Sequence, residues 1–231
     1  YFMLLQNQIS TDSINNPIIE EKTLSIIELI SSGGIGGNII MGTLGVLSIY
    51  AIYILFERYS TIKKASFEDE SFLKSIKNFV EQKDIQAAKT LCRNTDNPVS
   101  RMIEKGIDRI DKPMTDISAA IENQGKLEVY KMENNLANLA TIAGAAPMIG
   151  FLGTVIGMIV AFHEMASAGG NIDVEMLSKG IYTAMVTTVG GLVVGIIAYI
   201  AYNYLVSKID KVIFQLEART TEFLDLLHHN E

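Results

Sequence analysis

Apolar residues in this chain fall into three long uninterrupted runs, joined by stretches in which they return every three or four positions. The runs cover residues 35–56, 139–162 and 181–205, and none contains Asp, Glu, Lys or Arg. A bilayer core needs about 20 apolar residues in a helix, so each run predicts a membrane-spanning helix. The third ends in Tyr199, Tyr202 and Tyr204, the aromatic girdle expected where a helix leaves the hydrocarbon. Between the first two runs, the pattern turns amphipathic. Ser66 is placed to cap a helix with Glu68, Asp69 and Glu70 in its first turn, followed by Phe72, Leu73, Ile76, Phe79 and Val80 on one face. Asn97 before Pro98 predicts a second helix start, with a stop near Lys112 and Pro113. A third pattern begins near Met114, with Ile117, Ala120, Ile121, Gln124, Leu127, Glu128, Lys131 and Asn135 on one face. It meets no breaker before the second run, so one helix is expected to continue into the membrane. The third run continues likewise through 206–227, with Ile209, Val212, Ile213, Leu216, Phe223 and Leu227 in register. Two helices of about 50 residues, roughly 75 Å each, would carry apolar stripes far beyond a bilayer. Those stripes need partners, which predicts a helical bundle and self-association. The expected fold is all-α, an integral membrane protein with three transmembrane helices, two of them long.

Charge orients this plan. The 57–138 segment holds 14 of the 19 Lys and Arg residues, and the 206–231 tail adds Lys208, Lys211 and Arg219. Only Lys22 precedes the first run, and only Lys179 lies between the second and third. Positive residues stay on the cytoplasmic side, so 57–138 and the C-terminal helix 206–231 are expected there. Segment 1–34 and a loop over 163–180 are expected on the opposite, periplasmic face. Within the first segment, 23–30 (TLSIIELI) reads as a short amphipathic helix on the membrane surface. The first residues carry no cationic stretch of the sort that opens a secretory leader. The net charge of −7 argues against a nucleic-acid partner, which would want a basic face. The single cysteine, Cys92, fits a small buried helix residue in a reducing compartment.

Candidate chemistry sits inside the second and third runs. Instead of Leu and Ile alone, the second has Gly144, Pro147, Gly150, Gly153, Thr154 and Gly157, and the third has Thr183, Thr187, Thr188, Gly190, Gly191 and Gly195. Gly153/Gly157 and Gly191/Gly195 form GxxxG pairs, which let helix backbones approach in lipid. Pro147 has no amide proton, so the Ala143 carbonyl loses its helical partner. The threonines bring hydroxyls to mid-membrane. Each could simply bond back to its own helix, or, with the glycines, line a narrow polar path. These runs lack the carboxylate or His that usually marks an ion path through lipid. His163 and Glu164 do not continue as HExxH, since Ser167 stands at the second His position. Walker A, GxSxG and dinucleotide glycine patterns are also absent, and the reading is a transport protein rather than an enzyme, without a cofactor or metal.

The run LATIAGAAPMIGFLGTVIGMIVAF followed by AMVTTVGGLVVGIIAY closely resembles the ExbB/TolQ group of the MotA/TolQ/ExbB proton channel family. Three spans with a large loop after the first suit ExbB and TolQ better than the four-span MotA. The segment NPVSRMIEKGI also looks like the family, and the N-terminal stretch leans towards ExbB. The resemblance implies a bacterial inner-membrane motor subunit, a homopentamer around the transmembrane helices of a single-span ExbD- or TolR-like partner. It would pass energy from ion flow to a TonB-like or TolA-like protein. On the same resemblance, Thr154 and Thr188 match the threonines that would face the partner's Asp in the pore. One departure stands out: several members carry Glu where this chain has Thr183. Without that carboxylate, the partner's Asp would be the titrating group. A ring of Thr154, Thr183 and Thr187 hydroxyls could then favour dehydrated Na⁺ over H⁺, since hard cations take oxygen ligands. Proton coupling is the main expectation and sodium coupling its alternative. A TolQ-type role and a non-conducting scaffold that packs partner helices through its glycines are the competing functions.

Overall fold

The computed structural model describes residues 34–66, 70–167 and 174–229, and these residues form seven helices. They are α1 (Gly34–Ala65), α2 (Glu70–Glu81), α3 (Ile85–Asn94), α4 (Pro98–Ile107), α5 (Met114–Glu133), α6 (Leu136–Ser167) and α7 (Val174–His229). Three helical stretches are long and apolar enough to cross a membrane, and they contain the three runs. Helix α1 lies against both α6 and α7. Gly37 meets Thr183, Gly190 meets Met41 and Leu44, and Tyr59 stacks on Tyr204, so α1 and α7 run parallel. Gly36 meets Ile156 while Tyr50 accepts a hydrogen bond from Asn138, so α6 runs antiparallel to α1.

Beyond the apolar runs, α2, α4 and α5 pack against the far half of α7, and α3 against α2 and α4, in a second, extramembrane core. Phe72, Ile76, Cys92, Ile103, Ile121 and Phe223 are among its fully or nearly fully buried residues. The helices close tightly where side chains shrink. A methyl group on Gly106 would stand 2.7 Å from Ile121 Cδ1 and 2.9 Å from Phe223 Cε1, so α4, α5 and α7 converge there. Asn97 caps α4 as its sequence predicts, its side chain accepting from the Ser100 amide at 2.6 Å in a reciprocal box with the Ser100 hydroxyl. Burial, followed by the nearby Glu104 and Asp108, pushes the Cys92 thiol up to about 12, which leaves it a packing residue rather than a nucleophile.

Several expectations change. The helix expected to run unbroken from Met114 into the membrane stops at Glu133 and restarts at Leu136. Asn135 takes φ 64, a left-handed backbone that Asn tolerates better than most residues, so neither Gly nor Pro was needed for the break. Leu127, on the predicted stripe of α5, is 56% exposed, as a stripe still lacking its partner would be. Gly125 and Glu128 face α4, where Met102 Cε packs over Gly125 and Arg101 pairs with Glu128. The Ser66 amide closes the last turn of α1 on the Ile62 carbonyl at 2.9 Å, and the cap expected of its side chain falls on residues 67–69. Residues 67–69, which include Glu68 and Asp69, lie outside the described residues, as does the amphipathic stretch 23–30. Helix α4 ends at Ile107, and turns carry the chain on to Pro113. The loop expected over 163–180 is entered later and left earlier, since α6 reaches Ser167 and α7 starts at Val174. Helix α7, by contrast, continues without interruption for 56 residues.

One buried charge cluster locks α4 to α5 near the break. Glu128 is 2% exposed and accepts from Arg101 Nη2 at 2.7 Å, Lys131 Nζ at 2.8 Å and Gln124 Nε2 at 2.8 Å. Arg101 also pairs with Asp96 at 2.5 Å, and Arg58 of α1 donates to the Lys131 carbonyl at 2.9 Å. Burial alone would push the Glu128 carboxyl up, but the hydrogen bonds and charges of Arg101 and Lys131 overcome it and hold it below the ordinary carboxylate value. A depressed folded-state value stabilises the fold above the unfolded carboxylate value of about 4.3 and loses that contribution as pH falls through the lower folded value. Glu128→Gln should therefore lower stability at pH 7 by about 2 kcal/mol, mainly by leaving Arg101 underpaired. The gap to the native protein should narrow below about pH 4. Thermal unfolding in detergent across pH measures this; a gap that does not change with pH would contradict it.

Candidate functional site

The α6–α7 seam is built from small residues at helical spacing. On α6 they are Ala146, Gly150, Gly153, Gly157 and Ala161; on α7 they are Gly180, Ala184, Gly191 and Gly195, with Thr187 among them. Absent side chains set the separation. A methyl on Gly157 would stand 3.0 Å from Ala184 Cβ, and one on Gly153 2.7 Å from Thr187 Cβ. One on Gly150 would meet the Thr187 carbonyl oxygen at 2.8 Å, and one on Gly191 the Ala146 carbonyl oxygen at 2.5 Å. Pro147 interrupts the α6 hydrogen-bond ladder, and its ring fills the space over Gly195, whose added methyl would lie 2.6 Å from Pro147 Cγ. The Ala143 carbonyl freed by the proline faces the same glycine, 3.1 Å from that methyl position. Gly190 belongs to the other side of α7, against Met41 of α1.

This close approach brings hydroxyls and carbonyls of the two helices together. The Thr154 and Thr188 hydroxyls hydrogen-bond each other across the seam. Thr188 Oγ1 also lies 3.1 Å from the Gly150 carbonyl oxygen, and Thr154 Oγ1 3.3 Å from that of Ala184. Thr187, 1% exposed, donates to the Ala184 carbonyl at 2.7 Å and approaches Gly150 at 3.3 Å. Only glycine at 150 and 153 lets α7 come near enough for these contacts. Each hydroxyl has one proton to donate, so the pair has two orientations. Either Thr154 donates to Thr188 and Thr188 to Gly150, or Thr188 donates to Thr154 and Thr154 to Ala184. Reversing the chain transfers donor direction from one helix to the other with little movement of heavy atoms.

Of the four candidate threonines, the structure gathers Thr154, Thr187 and Thr188 and sets Thr183 apart. Thr183 is buried towards α1, its methyl 3.1 Å from where Gly37 would carry a side chain. Thr154 and Thr188 are half-buried, at the edge of the seam, while Thr187 is enclosed within it. The acceptor carbonyls of Gly150 and Ala184 were not apparent in the sequence as functional groups; the small-residue spacing around them was the available signal. The same spacing extends the packing stripe to Ala146, Ala161, Gly180 and Ala184.

Comparison with known proteins covers both helices of this seam. The model of the MotA/TolQ/ExbB proton channel family matches residues 94–218. A biopolymer transport ExbB homolog of Methanothermobacter thermautotrophicus is 28% identical over 84% of this chain and 67% of its own length. The Tol-Pal system protein TolQ of Pseudomonas aeruginosa is 24% identical over 88% of this chain and 93% of its own. The biopolymer transport protein ExbB of Helicobacter pylori reaches 40% identity over 34% of this chain and 54% of its own length. With three apolar helices of spanning length and a match over more than half its residues, this chain is an integral membrane protein of the MotA/TolQ/ExbB proton channel family, in its ExbB/TolQ group.

Proposed function

We propose that this chain is the ion-conducting subunit of an energy-transducing complex in a bacterial inner membrane, with its N-terminus periplasmic and its C-terminus cytoplasmic. Several copies, five by family resemblance, would surround the helix of an ExbD- or TolR-like single-span partner that brings an aspartate into the membrane. Ion flow would then drive a TonB-like protein and, through it, outer-membrane transport. The observation that carries this reading is the Thr154–Thr188 hydroxyl pair with its carbonyl acceptors, half-buried at the edge of a seam where a partner's carboxyl group could reach it. Self-association is supported by large side chains left exposed on the extramembrane helices: Leu127 at 56%, Tyr130 at 73% and Phe214 at 72%. Buried against a neighbouring copy, such residues would each contribute on the order of 1.5–3 kcal/mol.

Protons rather than sodium are favoured as the coupling ion. The sodium reading asked for an oxygen ring that included Thr183, whose methyl group packs towards Gly37 while the Thr154 hydroxyl pairs with Thr188. A TolQ-type role, driving a TolA-like protein for envelope integrity, is the second reading, favoured by a TolQ relative that the chain covers over 93% of its length. The test is reconstitution with the single-span partner in proteoliposomes, with ion flux measured in sodium-free buffer and a protonophore control. Full flux without sodium is expected. Flux that needs sodium would overturn proton coupling, and no ion-selective flux under either condition would overturn conduction and leave the scaffold role. Capture of the TonB-like or the TolA-like protein by the purified complex separates the two roles.

A further inference from the structure

Where α1 and α7 leave the apolar zone towards the extramembrane bundle, a groove of about 440 Å³ lies between them. Leu55 and Ala201 line it together with Phe56, Ile197 and Ile200, and Tyr59 and Tyr204 line its bundle-side end. It opens outward, since Phe56 is 67% and Ile200 62% exposed. The two tyrosine rings stack with centroids 6.3 Å apart and 25° between planes. Lys63 follows Tyr59 by four residues, and Lys208 follows Tyr204 by four. Four residues are slightly more than one helical turn, so each lysine continues its tyrosine's face one turn further towards water. Lys208 Nζ lies 5.5 Å from the centre of the Tyr204 ring. Among the described residues, neither lysine forms an ion pair. Of the acids near them in sequence, Glu57 is taken by Arg58, Asp210 lies about 200° around α7 from Lys208, and Glu68 lies outside the described residues.

We propose that this groove binds an anionic glycerophospholipid, with an acyl chain against the Phe56–Ile200 walls, the glycerol region at the tyrosine pair and the phosphate between Lys63 and Lys208. The order along the groove, apolar then aromatic then cationic, is the order of a phospholipid from tail to headgroup. Tyrosine prefers the boundary between hydrocarbon and water, and basic pockets between membrane helices hold anionic headgroups. Charge selects this occupant over a zwitterionic lipid, because two lysines one turn beyond the tyrosine pair reward a net negative headgroup. The proposal rests on the membrane reading and not on ion conduction.

Native mass spectrometry of the purified complex, after exchange into nanodiscs of phosphatidylcholine with or without phosphatidylglycerol, tests it. The native protein should retain phosphatidylglycerol selectively. At about 1 kcal/mol for each lysine near an anionic surface, Lys63→Gln with Lys208→Gln should cut that preference roughly 30-fold. Ile200→Trp, which fills the groove from an exposed position, should displace both lipids. Equal retention of the two lipids by the native protein, or unchanged preference in the double lysine variant, overturns the proposal. So does an Ile200→Trp variant that keeps its lipid but changes oligomeric state, which would give the groove to a second copy. Ion flux is not read in any arm, so failure here leaves the proposed conduction standing.

Discussion

Gly191→Ala is expected to lower the stability of this protein more than any other single-methyl change along the α6–α7 seam. The added carbon would stand 2.5 Å from the Ala146 carbonyl oxygen and 2.8 Å from Gly150 Cα. Both neighbours are backbone, so no side-chain rotation relieves the overlap, and the helices must separate. Overpacking of a well-filled interior costs about 1–3 kcal/mol, and a site bounded by backbone belongs at the upper end. For a chain of this size, about 3 kcal/mol corresponds to a fall of roughly 6–12 °C in unfolding temperature. The seam would also open the contact that carries Thr154, Thr187 and Thr188. Gly45→Ala is the matched control: an added methyl there meets nothing within 4 Å. Removing a glycine from a helix interior is favourable by up to about 1 kcal/mol, so Gly45→Ala should leave stability unchanged or raised. Thermal unfolding in detergent compares them, and equal midpoints for the two variants would show that the seam is not close-packed at Gly191.

This contrast marks how far the residues alone could be read. The three apolar runs, the Asn97–Pro98 helix start and the glycine-rich character of the seam are local signals, and each appears in the structure. The break at Asn134 and Asn135 has no such signal, because Asn is also an ordinary helix residue and takes the left-handed backbone only where packing demands it. The apolar stripe of α5 was legible, but not which of its residues stay exposed, as Leu127 does. Gly125, under Met102, and Glu128, paired with Arg101, face α4. The threonines were visible as a set, but their grouping was not. A helical wheel places Thr183 and Thr187 on one face of α7. It does not say that this face turns from α1 at Thr183 towards α6 at Thr187. Nor does sequence distinguish the carbonyls of Gly150 and Ala184, since every residue has one. They become acceptors for another helix only when the glycines bring that helix within hydrogen-bond reach.

Thr154→Val and Thr188→Val are expected to separate assembly from conduction. Valine keeps the volume of threonine, so the packing around Gly150 and Ala184 survives, and hydrogen bonds between membrane helices contribute only about 0.6 kcal/mol on average. Stability and oligomeric state should therefore stay close to those of the native protein. Conduction should not, because either substitution removes a hydroxyl from the chain that joins Gly150 to Ala184 and leaves no route for reversing donor direction. Positioned proton donors and acceptors accelerate transfer by about 10²–10⁴-fold, so flux should fall by roughly 100-fold or more. Thr188→Ser, which restores the hydroxyl without the methyl group, should recover most of it. Thr183→Val should change flux little, since that side chain is buried with its methyl group towards Gly37 of α1. A scaffold that only packs helices predicts the reverse ranking: valine would be silent at 154 and 188, and serine, which loses volume, would do more harm. Wild-type flux in either valine variant would therefore remove the hydroxyl pair from the ion path.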